Sequence, residues 1–110
     1  MSENLEDAYA MAKLRPRLTG LPMAVWVIEN EGFPHDVRVK VSPIHGGRGA
    51  WSNAAAVAVR PVPALVAGNL SAADLRVVSD WIALNRGAII DFWDGSIDID
   101  ELLARLHRLP

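Results

Sequence analysis

Three stretches in the middle of the chain have the hydrophobic pattern of β-strands. Residues 23–29, MAVWVIE, are apolar on both faces, which predicts a strand covered on both sides or one whose second face takes a partner. Residues 35–42, HDVRVKVS, alternate strictly between valine and polar positions. Residues 53–63, NAAAVAVRPVP, predict a third strand that ends, or lies on an edge, where two prolines remove backbone donors. Short links between the three predict an antiparallel meander.

The last third of the chain has helical spacing and two capping signals. Ser71 precedes Asp74 by three positions, and Asp98 precedes Glu101 in the same way, so each pair predicts the start of a helix. Apolar residues then recur every three or four positions in both segments. The predicted fold class is therefore α+β, a small three-stranded antiparallel meander packed by two C-terminal helices.

The segment ALNRGA, residues 83–88, interrupts the apolar stripe of the first predicted helix. Asn85 falls on that stripe, and Gly87 costs about 1 kcal/mol relative to alanine in a helix interior. We expect a kink or a junction between helices, with Asn85 bonding a backbone carbonyl that the break leaves free. A functional role for this local inconsistency is the alternative.

The start of the chain predicts a short helix or a loose arm. Residues 3–14 place apolar side chains at helical spacing, and Pro16 ends that pattern. We therefore expect residues 1–18 to form an N-terminal arm or short helix, and residues 19–110 to form a single α+β domain.

Composition limits the classes to which the protein can belong. The chain has 110 residues, of which 51% are hydrophobic, enough for one domain with its own core. No apolar run approaches the ~20 residues that span a bilayer, and the acidic first residues are unlike a secretory signal. Cysteine is absent, which excludes disulfides and thiolate catalysis and fits a reducing compartment. We expect a cytoplasmic protein without a membrane partner.

Basic residues are predicted to cluster on one face of the sheet, although the net charge is −2. Strand alternation places Arg38, Lys40 and Arg60 on the outer face, with Arg48 in the adjacent loop. In one of the two possible phasings of its strand, Trp26 joins them. A basic stripe beside an aromatic ring can hold single-stranded nucleic acid. The alternative, which the net negative charge favours, is that the N-terminal segment covers Trp26 and the basic side chains are simply solvated.

The glycine-rich loop, HGGRG at residues 45–49, has the ingredients of an anion cradle. It lacks the Gly-Lys-Ser/Thr of a phosphate-binding P-loop, the spacing of a dinucleotide fingerprint and the nucleophile that accompanies an oxyanion hole. We expect a flexible hairpin connection. In the alternative interpretation, Arg48 closes on an anion among the glycine N–H groups.

The histidines and carboxylates do not form a recognisable metal or catalytic motif. His35, His45 and His107 are scattered, and the acidic residues near the C-terminus miss the register of an EF-hand. No catalytic set, metal or cofactor is therefore expected. His35 is in phase with the valines of its strand, which predicts a structural histidine at the edge of the core.

Three segments together resemble a group of short, uncharacterised bacterial proteins. They are TGLPMAVWV from Thr19, PHDVRVKVS from Pro34 and LSAADLRVVSDWIALNRGAIIDFWDGSIDIDELLARL from Leu70. The resemblance implies a compact bacterial domain. Some similar domains are thought to lie beside toxin–antitoxin or mobile-element genes, which implies a regulatory or binding role. The resemblance marks five residues without defining what they do: His35, Asn85, Arg86, Trp93 and Asp94.

These patterns lead to three functional hypotheses, of which the first is preferred. It is a non-catalytic protein-binding module that uses the sheet edge and the strand around Trp26, with a protein partner or as a homodimer. The second is nucleic-acid binding through the basic residues Arg38, Lys40, Arg48 and Arg60. The third is a hydrolase or nuclease that uses His35, His45 and nearby acids.

Overall fold

The computed structural model describes residues 11–110, which form an antiparallel sheet and a layer of helices. The strands are β1 (Met11–Leu14), β2 (Met23–Ile28), β3 (Arg38–His45), β4 (Ala55–Ala58) and β5 (Ala64–Ala67). The helices are α1 (Pro16–Thr19), α2 (Ala72–Leu84), α3 (Arg86–Trp93) and α4 (Ile99–Arg105), and one turn of 3-10 helix spans Trp51–Asn53. The α+β class is as predicted.

The prediction of a three-stranded sheet is wrong, because a short strand extends the meander at each edge. The sheet has five strands in chain order, with β1 paired to β2 and β5 paired to β4, all antiparallel. Each added strand has only four residues, MAKL and ALVA, and neither shows a strict alternation. Four residues are too few to show a hydrophobic periodicity in the sequence. These segments are strands because each pairs with a neighbouring strand.

The predicted N-terminal helix is also wrong in the part of it that the structure describes. Met11, Ala12 and Leu14 are buried in β1, with Ala12 opposite Val27 and Leu14 opposite Val25. Burial against the sheet and core therefore outweighs the weak helical spacing of this segment. Residues 1–10, which carry the rest of the predicted helix, lie outside the described residues.

The core lies between the sheet and the helical layer. All six residues of β2 are buried, as its continuous apolar pattern predicts. The three valines of the alternating segment, Val37, Val39 and Val41, are at most 2% exposed. They share one hydrophobic cluster with the apolar faces of α2 and α3.

The helical layer has three helices, because the first predicted helix is divided at Asn85 into α2 and α3. Both predicted caps are present. The Ser71 hydroxyl accepts a hydrogen bond from the Asp74 N–H at 3.1 Å, and the Asp98 carboxylate accepts one from the Glu101 N–H at 3.3 Å. These caps satisfy backbone donors that the first turn of a helix leaves unpaired. None of the helices in residues 11–110 is long and apolar enough to cross a membrane.

Candidate functional site

The outer face of the sheet is centred on Trp26, which a loop covers. Trp26 lies opposite Lys13 of β1 and Lys40 of β3, so its phasing is the one that joins the basic residues. Its side chain is nevertheless only 2% exposed. The ring of Trp51 meets it edge to face, with 6.1 Å between centroids and 84° between planes. Trp26 therefore cannot stack on a nucleotide base while Trp51 is in place.

A lysine lies over each of these two rings. The ammonium of Lys13 is 5.5 Å from the centroid of Trp26, and that of Lys40 is 5.3 Å from the centroid of Trp51. Both distances fit cation–π contacts. Partial burial lowers the pKa of Lys40, and the neighbouring charge of Arg38 lowers it further. Lys40, at the centre of the predicted basic stripe, is thus partly buried and packs against the ring of Trp51.

The glycine-rich loop is anchored to the sheet at several points. The Gly46 N–H donates to the carbonyl of Pro22 at 2.8 Å, and the carbonyl of Gly49 accepts from the Lys13 ammonium at 2.9 Å. Gly49 also approaches Ser42 so closely that a Cβ at this position would overlap the serine side chain. The expected hairpin connection is therefore present, and Gly49 allows its backbone to approach the sheet closely.

A basic cleft lies where this loop meets β1 and α1. It has a volume of about 510 Å³ and is lined by Lys13, Arg15, Arg17 and Leu18. The side chain of Arg15 lies against Gly47, where an added Cβ would be 3.3 Å from its Cδ. Arg48, between Gly47 and Gly49, is exposed and is not among the residues that line the cleft.

Sequence reasoning misses the cations of the basic cleft, because it places residues 1–18 outside the sheet. The available signal is the close spacing of three positive charges in KLRPR, residues 13–17. Lys13 lies in β1, whereas Arg15 precedes α1 and Arg17 lies within it, so the turn from β1 into α1 brings the three side chains to one cleft.

The predicted basic residues at the other end of β3 are differently engaged. Arg60 donates from Nε and Nη2 to the two carboxylate oxygens of Asp36, at 2.9 and 2.8 Å. This bidentate pair, helped by the N–H of Val37, lowers the pKa of Asp36 to about 2. Arg38 is half-buried at the start of β3. The predicted binding residues are thus distributed along the sheet, and a carboxylate holds Arg60 at one end of it.

His35 belongs to an aromatic cluster at the edge of the core. Its ring is nearly parallel to those of Phe33 and Trp93, at centroid distances of 5.1 and 5.6 Å. Its Nδ1 lies 2.8 Å from the carbonyl oxygen of Asp36. Trp93 is buried, and Asp94 is exposed at the end of α3. The positions of His35 and Trp93 fit a packing role.

The two histidines of the hydrolase hypothesis are not brought together. His45 ends β3 and lies 3.0 Å from both carboxylate oxygens of Asp74, in the first turn of α2. His35 precedes the opposite end of the same strand, whose ends are about 23 Å apart. A catalytic centre cannot use both groups on one substrate bond.

Asn85 is buried and fully engaged in holding the C-terminal segment. Its side-chain N–H groups donate to the carbonyls of Trp81 and His107, at 3.1 and 3.0 Å. Its side-chain oxygen accepts from the His107 N–H at 2.7 Å. The predicted junction and a bond from Asn85 to a backbone carbonyl are present, but the Trp81 carbonyl also accepts from the Asn85 backbone N–H at 3.1 Å, so it is not one that the break leaves free. The next residue, Arg86, is exposed at the start of α3.

The outer edge of β5 is a second exposed feature. Within residues 11–110 this strand pairs with β4 alone, and three of its four residues are exposed. Val66 is 50% exposed, and Val62, just before the strand, is 65% exposed. The segment from Pro63 to Gly68 carries no charge. This combination is unusual for a sheet edge that faces only water.

Among residues 11–110, no three His, Asp or Glu side chains lie close enough together to hold a metal ion. Searches of protein-family models, of curated proteins and of solved structures returned no match to this chain.

Proposed function

We propose that this protein is a non-catalytic protein-binding module that pairs through the outer edge of β5, and that its partner is a second copy of the chain. The observation that carries the proposal is the uncharged, exposed edge of β5, with Val66 exposed within the strand and Val62 exposed just before it. Edge strands offer a row of backbone donors and acceptors to another strand. Antiparallel pairing of β5 with its counterpart places the same surface on both sides of a twofold axis.

The apolar residues beside the edge strengthen this proposal. A strand of four residues supplies few intermolecular hydrogen bonds, so side-chain burial must contribute. Val62 and Val66 expose 65% and 50% of their surfaces and become buried on pairing. Features that oppose such pairing are the shortness of β5, a register irregularity between β4 and β5, and Pro63, which removes one backbone donor just before the strand.

The proposal moves the contact surface away from the strand around Trp26. β2 is paired on both sides, with β1 and β3, so it has no edge to offer. Trp26 is buried beneath Trp51. A regulatory role in the cytoplasm, beside toxin–antitoxin or mobile-element genes, is part of the same proposal and rests on the resemblance and on the cysteine-free sequence.

Light scattering coupled to size-exclusion chromatography tests the proposal. The chain has a mass of 12.0 kDa, so we expect a species of twice that mass in wild-type protein. Its population should be the same in about 0.1 M and about 1 M salt, because pairing is not electrostatic. Val66→Lys should weaken association by about tenfold or more, since a charge on the edge opposes strand pairing.

Leu103→Lys is the matched control, because Leu103 is a similarly exposed apolar residue, at 42%, on α4. It should leave the dimer unchanged, and circular dichroism should show both variants folded. A monomer at all concentrations, or a dimer indifferent to Val66→Lys, would contradict the proposal. Co-elution of nucleic acid that is lost at high salt would favour the second hypothesis, binding by Arg38, Lys40, Arg48 and Arg60.

A further inference from the structure

We propose that the basic cleft beside β1 and α1 binds the phosphate groups of a small molecule, such as inorganic pyrophosphate or a nucleoside polyphosphate. The cleft lies at the β1 edge of the sheet, four strands away from β5. It is therefore independent of the pairing surface proposed above. Each can be tested without the other.

The lining of the cleft has the charge and geometry that phosphate oxygens require. Lys13, Arg15 and Arg17 converge on it, and none of the three forms an ion pair with a carboxylate of residues 11–110. Guanidinium groups present a planar fork of donors that matches phosphate oxygens bidentately. The lysine ammonium adds a compact point charge between the glycine-rich loop and the ring of Trp26.

The glycine-rich loop adds backbone donors to this wall. In the part of the chain that the structure describes, the N–H groups of Gly47, Arg48 and Gly49 donate to no acceptor. Runs of unpaired N–H groups in glycine-containing turns form concavities that receive anions. The side chain of Arg15 lies against Gly47, and the carbonyl of Gly49 accepts from the Lys13 ammonium, so this segment is held against the cleft.

The size of the cleft favours a small molecule over a polymer. A volume of about 510 Å³ falls within the range of ordinary small-molecule sites. Leu18, 43% exposed, supplies an apolar wall beside the cations. A nucleic acid would instead need a stacking surface along the sheet, and Trp51 occupies that position over Trp26.

Calorimetric titration with pyrophosphate and with ATP in metal-free buffer tests the assignment. We expect both to bind the wild-type protein at low salt. The double variant Arg15→Ala/Arg17→Ala should lose about tenfold or more in affinity, because each lost charge-assisted contact weakens the complex. The control, Arg76→Ala/Arg86→Ala, removes the same charge from two exposed helical positions and should change affinity by less than about twofold.

Leu18→Ser distinguishes the two phosphate sources. Weaker ATP binding with unchanged pyrophosphate binding supports a nucleotide whose non-phosphate part contacts Leu18, and equal binding of both ligands supports recognition of phosphate alone. Three results would overturn the assignment: no binding of either ligand at millimolar concentration, an equal loss in the control variant, or binding of a single-stranded oligonucleotide alone. Thermal unfolding should show that all variants remain folded.

Discussion

Arg60 was predicted to contact a ligand, but in the structure its guanidinium is paired with the carboxylate of Asp36. It follows β4, while Asp36 precedes β3, so their bidentate pair links the two strands at their open end. The guanidinium lowers the pKa of Asp36, and the carboxylate in turn raises that of Arg60. Both side chains are substantially exposed, at 36% and 55%, so solvent screens the pair.

We expect the Asp36 carboxyl group to titrate at a pKa of about 2, measured by NMR. This folded-state pKa lies below the ordinary value of 3.8, so the stabilisation from the pair is fully present above pH 3.8 and is lost as the pH falls toward 2. In Arg60→Ala the pKa should rise toward 3.8 and stay slightly below it, because the Val37 N–H still favours the anion. Arg86→Ala is the control. A wild-type pKa near 3.8 would show that the pair does not form in solution.

At the scale of elements, the connection between β3 and β4 does more than reverse the chain. It crosses the outer face of the sheet, places Trp51 on Trp26 and brings the carbonyl of Gly49 to Lys13. Without it, a tryptophan at the centre of the sheet would face water. The two glycines on either side of Arg48 differ in what they touch: Gly49 meets the buried Ser42, and Gly47 meets the exposed Arg15 side chain.

Gly49→Ala should therefore lower the free energy of unfolding by about 1–3 kcal/mol, because the new methyl group overlaps the side chain of Ser42, which is fully buried. Gly47→Ala should cost less than about 0.5 kcal/mol, since the Arg15 side chain can move aside. Urea unfolding followed by circular dichroism measures both. Equal effects of the two substitutions would mean that the loop does not dock on Ser42.

On the scale of the whole molecule, the C-terminal segment joins the two layers. Asn85 holds His107 on the helical side, and the Leu109 N–H donates to the carbonyl of Thr19 at 2.8 Å on the sheet side. Gly20 permits this approach, since a Cβ there would lie 2.8 Å from the Leu109 carbonyl oxygen. The last residues thereby fasten α1 to the helix junction.

Asn85→Ala should lower the free energy of unfolding by about 1–2 kcal/mol, because the backbone N–H and carbonyl of His107 both lose their part-buried partner, whereas the Trp81 carbonyl keeps its bond from the backbone N–H of residue 85. Urea denaturation provides the measurement. Asn53→Ala serves as the control and should have little effect, because Asn53 is exposed and its side chain bonds only its neighbour, Ser52, among residues 11–110. A loss below about 0.5 kcal/mol in Asn85→Ala would contradict the proposed fastening role.

Features that depend on neighbouring residues were predicted correctly, and features that depend on residues distant in the chain were not. The central strands and the helix starts at Ser71 and Asp98 were predictable, because alternation and capping are local. The break at Asn85 was also visible, as a polar residue on an apolar stripe. The edge strands were missed, and so was the basic cleft, because sequence reasoning placed β1 outside the sheet.

The local pattern of residues was enough to establish an α+β chain with a buried second strand and capped helices. Three features became visible only in the tertiary structure. They are the two additional strands of the sheet, the packing of Trp51 over Trp26, and the convergence of Lys13, Arg15 and Arg17 beside the glycine-rich loop. The physical reason is that each of these features joins segments distant in the chain. These features are stabilised by burial and strand pairing between such segments. A pattern of neighbouring residues carries no information about those contacts.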